Sequence, residues 1–158
     1  MKIVILGAGE VGLYLARHLS SRGEEVVVVD LAADRLRRAE EEADALTLAG
    51  DATHRSVLAA AEVDRADLVV ALTGRDEVNV VAAALASSVG AARTVARVDA
   101  PSFYRTSASI EHGVLGIHSV LCASRLVCDE LLRSIEEIHA DEVSFCAANT
   151  IAVAQVPV

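Results

Sequence analysis

Short runs of β-branched and aliphatic residues alternate along this chain with longer stretches in which apolar residues recur at helical spacing. The runs near residues 2–6, 25–30, 45–49, 67–72, 93–98 and 118–121 predict six strands, and the stretches near 10–22, 32–43, 54–62, 75–89 and 101–112 predict the helices between them. Such alternation is the sequence form of repeated βαβ units, which require a parallel sheet and right-handed crossovers. The expected fold is α/β: a Rossmann-type, doubly wound, mainly parallel six-stranded sheet, followed by a C-terminal crossover helix and short strands. A ligand then belongs at the carboxyl ends of the strands.

The pattern changes after the sixth strand. Over 124–138 the apolar positions Cys128, Leu131, Leu132, Ile135 and Ile138 form one helical stripe, opposed by Arg125, Asp129, Arg133, Glu136 and Glu137. A terminal helix of this kind either closes its own sheet or meets another subunit. Residues 142–146 and 151–156 then read as two short strands around the turn Ala147-Ala148-Asn149-Thr150. The chain stops at Val158 without a polar tail, as a piece of a longer protein would.

Composition narrows the classes. At 158 residues, with 53% hydrophobic but only 3% aromatic content, the chain suits one domain whose Val-rich sheet lies between Ala- and Leu-rich helices. Its net charge of −9 includes no basic stripe, which argues against nucleic acid as a partner. Cys122, Cys128 and Cys146 lack CxxC spacing and read as buried, reduced thiols, in keeping with a cytoplasmic location. The histidines at 18, 54, 112, 118 and 139 are scattered, so no metal site is expected. No uncharged apolar run approaches the roughly 18 residues of a membrane span; a soluble chain is expected, reaching any membrane through a partner.

Chemistry concentrates where strands end. Gly7-Ala8-Gly9-Glu10-Val11-Gly12 is a GxGxxG directly after a predicted strand and opening a predicted helix. Gly7 allows the tight turn, Gly9 lets a diphosphate approach the backbone, and Gly12 lets the helix pack against the strand. The helix amino end adds unpaired N–H groups and a positive dipole. Asp30, followed by Leu31, closes the second strand, where a carboxylate accepts hydrogen bonds from ribose hydroxyls and repels a 2′-phosphate. The lesser alternative is that it caps the next helix, a role compatible with the first. Gly50-Asp51-Ala52-Thr53 ends the third strand, where Asp51 and Thr53 either reach the adenine side of the pocket or cap the following helix. The fourth strand ends in Leu72-Thr73-Gly74, where Thr73 could meet ribose or phosphate and Asp76 and Asn79 could simply start a helix.

Taken together with Ala96-Arg97-Val98 and with Gly116 to Leu121 followed by Arg125-Leu126-Val127, these motifs resemble the amino-terminal half of the RCK domain, also called KTN or TrkA-N, over residues 1–140. The resemblance implies a cytoplasmic regulator of potassium channels and Trk/Ktr-type transporters, held to the inner face of the membrane through its partner. It implies that NAD(H), ATP or ADP binds at the glycine loop and alters subunit packing in a homodimer or ring. Residues 141–158 would lead into an RCK carboxy-terminal domain that this chain lacks. The implied cofactor-binding set is Gly7, Ala8, Gly9, Glu10, Val11, Gly12, Asp30, Leu31, Asp51, Ala52, Thr53, Thr73, Gly74 and Arg97. Arg97 would face nucleotide or a neighbouring subunit, or pair with a carboxylate.

The alternative function is the nucleotide-binding domain of an NAD-dependent oxidoreductase, since the glycine loop and Asp30 alone fit it. Hydride transfer usually also needs an acid or base beside the nicotinamide, and no such arrangement is visible. The half of a redox-responsive repressor is a third reading, but it would need a DNA-binding domain. No catalytic residue is assigned, and the expected function is not enzymatic.

Overall fold

The computed structural model describes residues 1–100, 115–138, 142–146 and 151–155. The chain divides into two compact units, Met1–Cys122 and Ala123–Val158. In the first, strands β1 (Lys2–Leu6), β2 (Glu25–Asp30), β3 (Leu46–Ala49), β4 (Leu68–Ala71), β5 (Thr94–Val98) and β6 (Ser119–Cys122) alternate with helices α1 (Glu10–Ser20), α2 (Ala33–Glu42), α3 (Arg55–Ala60) and α4 (Asp76–Val89). All neighbouring strands of the six-stranded sheet pair in parallel, in the order β3-β2-β1-β4-β5-β6. This is the doubly wound fold expected. The helix expected over 101–112 lies outside the described residues.

Both faces of β1 are buried, which is why its sequence is continuously apolar rather than alternating. Ile3 and Ile5 pack with Leu13 and Ala16 of α1 and Leu36 and Ala39 of α2. Val4 and Leu6 turn to the other face, with Leu58 of α3 and Ala82, Ala83 and Ala86 of α4. Ala82, Ala83 and Ala86 are fully covered, and small side chains there allow helix and sheet to approach closely. Winding reverses between β1 and β4, so the crossovers on either side diverge and leave a crevice at the carboxyl ends of these strands.

The second unit contains α5 (Ala123–Ile138) and the antiparallel pair β7 (Glu142–Cys146) and β8 (Ile151–Gln155). The turn expected at 147–150 lies outside the described residues. On α5, Val127, Leu131, Leu132 and Ile135 are each more than half exposed. One expectation is corrected here: Cys122 is buried but Cys128 is exposed, because it belongs to this exposed helical face. Among the described residues no helix is long and apolar enough to cross a membrane.

Candidate functional site

The three glycines of the first loop have different surroundings. Gly7 has φ +117°, and a Cβ there would lie 2.8 Å from the Thr73 nitrogen, so the loop after β1 presses directly on the loop after β4. At Gly12 a Cβ would stand 1.9 Å from the Gly7 carbonyl oxygen; the first turn of α1 is packed onto the backbone of the loop. Gly9 is the reverse case, with nothing within 4 Å of where its Cβ would be. Gly9 is also the N-cap of α1, and no side chain caps the helix. The amino end of α1 therefore keeps N–H groups and open space for an anion.

Asp30 locks two loops together. One carboxylate oxygen accepts the Ala8 N–H at 2.7 Å and the other accepts the Ala32 N–H at 2.8 Å. The Arg35 Nη1 lies 3.8 Å away, and the Asp30 side chain is only 10% exposed. The helix that follows is capped by Ala32, not by Asp30. An ionised carboxylate has about four acceptor sites, so ribose hydroxyls can still be received.

In the loop after the neighbouring strand β3, Asp51 accepts both the N–H and the hydroxyl of Thr53, at 2.8 and 2.7 Å. These two donors, the N–H foremost, hold the Asp51 carboxyl below the ordinary aspartate range, and His54 adds a smaller effect. Neither Asp51 nor Thr53 caps α3, whose N-cap is His54.

Beyond β4, the Thr73 N–H and hydroxyl both donate to Asn79 Oδ1, at 2.8 and 2.7 Å. Asn79 Nδ2 in turn donates to the carbonyls of Thr73 and Arg97, at 3.0 and 2.9 Å. The side chain is 1% exposed, and every polar atom has a partner. Asp76 adds a second tie, accepting the N–H groups of Asp99 and Ala100. Asn79 and Asp76 thus do more than start a helix: they fasten the loop after β4 and the amino end of α4 to the end of β5.

These loops enclose a cleft of about 330 Å³. Of the residues singled out from sequence, Gly7, Asp30, Leu31, Asp51, Ala52, Thr73 and Gly74 line it. Ala8, Gly9, Gly12 and Thr53 stand behind or beside these, and Ala8 and Thr53 donate to the two lining carboxylates. Glu10 faces solvent, paired with Arg38 at 3.1 Å, and Val11 is half exposed. Arg97 pairs with Asp99 at 2.6 Å and is not among the residues that line the cleft. Sequence reasoning missed Arg35, Arg75 and Val78, which also line the cleft. No motif marks them; they reach it only because α2 and α4 start at its rim. Among the described residues no cluster of His, Cys, Asp or Glu could hold a metal ion.

Residues 3–122 match the TrkA-N domain. The chain belongs to that family. Its relatives include the Trk system potassium uptake protein TrkA of Halomonas elongata, 37% identical over 144 residues, which cover 90% of this chain and 32% of that protein. The TrkA-N chain thus spans about a third of the length of the curated relatives it matches. In three dimensions it resembles the GsuK channel bound to NAD, with a TM-score of 0.71 at 23% identity, covering 92% of this chain and 25% of the other. It also resembles the Kef CTD of Shewanella denitrificans in its AMP-bound form, with a TM-score of 0.68 at 19% identity over 89% of this chain and 84% of that one. At such identities these structures speak for the shared fold.

Proposed function

We propose that this TrkA-N chain is the nucleotide-sensing part of a regulatory subunit that controls a potassium channel or Trk-type potassium transporter. NAD(H), ATP or ADP binds in the cleft, with its phosphates over Gly9 and the amino end of α1 and its ribose at Asp30. Residues 1–140 form the sensing domain, and residues 141–158 lead toward a ligand-binding half of the RCK type. The subunit works as a homodimer or ring on the cytoplasmic face of the membrane, held there by its transport partner, and it turns over no substrate.

One observation carries this reading: the bare, uncapped amino end of α1 at Gly9 opens beside a buried carboxylate whose position suits ribose. The ancestry shared with a potassium uptake protein supplies the transport context. NAD-bound and AMP-bound proteins of the same fold support an adenine nucleotide as ligand.

The direct test is a thermal-shift series. NAD(H), ADP or ATP should raise the melting temperature in proportion to the logarithm of ligand concentration, and NADP(H) should do so weakly, since Asp30 opposes a 2′-phosphate. Equal stabilisation by NADP(H) would remove Asp30 from its ribose role. Steady oxidation of NADH with a small carbonyl substrate would turn the reading to an oxidoreductase.

A further inference from the structure

The cleft is lined by two carboxylates, Asp30 and Asp51, and by two guanidinium groups, Arg35 and Arg75. Both carboxylates already hold close donors. Asp30 accepts the Ala8 and Ala32 N–H groups, and Arg35 stands 3.8 Å from it at the ribose end. Asp51 is satisfied by Thr53. Arg75 differs: among the described residues its ion-pair partner is Glu77, at 3.9 Å, with the two side chains 73% and 66% exposed. A pair so long and so exposed holds a guanidinium weakly.

The position of Arg75 is better defined than its exposure suggests. It follows Thr73, whose N–H, hydroxyl and carbonyl are all bonded to buried Asn79. The same loop touches the glycine loop, since the Thr73 nitrogen is what a Cβ at Gly7 would strike. Between them lies Gly74, where a Cβ would meet nothing within 4 Å, as at Gly9. Gly7 and the bare backbone of Gly74 line the same cleft, and the loosely held Arg75 cation stands on its rim. In a chain of net charge −9, a cation there offsets repulsion that a polyanion would otherwise meet.

Resting on the nucleotide reading above, we propose that Arg75 is a specificity-determining residue that grades ligands by phosphate number. It takes the charge of the second and third phosphates, so ATP and ADP are held more tightly than AMP. The ribose and base contacts are common to all three, and Arg75 adds nothing to them.

Calorimetric titration of the whole chain with AMP, ADP and ATP, in the presence of EDTA, tests this in wild type, Arg75→Gln and Arg75→Lys. Glutamine keeps length and polarity while removing charge. It should weaken ATP about tenfold, the worth of one charge-assisted contact, weaken ADP by a smaller factor, and leave AMP within about twofold. Lysine should retain most of the ATP affinity. A uniform loss across the three nucleotides in Arg75→Gln would show a merely structural residue and overturn the inference, as would no loss at all. Wild type that binds NADH but no mononucleotide would overturn it while sparing the nucleotide site. Wild type that binds none of these ligands at about 1 mM would overturn both.

Discussion

Gly9 and Gly12 are three residues apart in one motif, yet they answer to different constraints. Gly12 is an architectural requirement, because the Gly7 carbonyl oxygen occupies the space of any side chain. Gly12→Ala should therefore destabilise the fold by about 3 kcal/mol or more, read from chemical denaturation. Gly9 has open space and extended backbone angles, so Gly9→Val should cost under about 1 kcal/mol, the loss of a tolerable N-cap residue. It should nonetheless abolish the nucleotide-dependent thermal shift, since the side chain fills the approach to the backbone. A folded Gly9→Val protein that still binds would place the nucleotide elsewhere. Asp51 gives a pH dependence with a definite sign. Its carboxyl is depressed in the folded chain, so it contributes stability above the unfolded value near 4 and loses that contribution as pH falls through the folded value. Thr53→Val removes one of its two donors and should flatten the acid side of a plot of melting temperature against pH.

At the level of elements, the site depends on a buried tie between α4 and the strand ends on either side of it. Asn79 joins the loop after β4 to the last residues of β5, and this single side chain sets where Thr73 lies relative to Gly7. Asn79→Ala would leave the part-buried Thr73 N–H and Arg97 carbonyl without that partner, at a cost of about 1–3 kcal/mol. The variant should also bind ADP less well at temperatures where it remains folded, because the loop after β4 loses its anchor. Unchanged denaturation midpoints would mean that water or a neighbouring amide substitutes for Asn79. From sequence, Asn79 looked like an ordinary helix-start residue, since its partners Thr73 and Arg97 lie 6 and 18 residues away and only the fold brings them together.

For the molecule as a whole, the feature that calls for a partner is the exposed apolar face of α5. Its apolar stripe was legible from helical spacing, and Val127, Leu131 and Leu132 are more than half exposed. A second copy of the chain is the expected cover, as in the proposed homodimer. Sedimentation should give a dimer for wild type at micromolar concentration and a folded monomer for Leu131→Asp combined with Leu132→Asp. Since each Leu is worth about 1.5–3 kcal/mol when buried, the double change should shift dissociation by orders of magnitude. A wild-type monomer would remove the dimer, and a double mutant that unfolds would assign the stripe to the chain's own core.

The sequence by itself determined the alternation of strand and helix, the parallel sheet and the glycine loop, because each is encoded in neighbouring residues: period, β-branching and a backbone that tolerates no side chain at Gly7 or Gly12. It also placed seven of the cleft's lining residues, all of them at strand ends where the doubly wound pattern directs a ligand. Only the tertiary structure decided that Asp30 and Asp51 hold backbone N–H groups rather than cap helices. It alone paired Arg97 with Asp99 and brought Arg35 and Arg75 to the rim. Hydrogen bonds and ion pairs are properties of distance in space, and a side chain with several candidate partners along the chain is assigned one only when packing fixes which of them it meets.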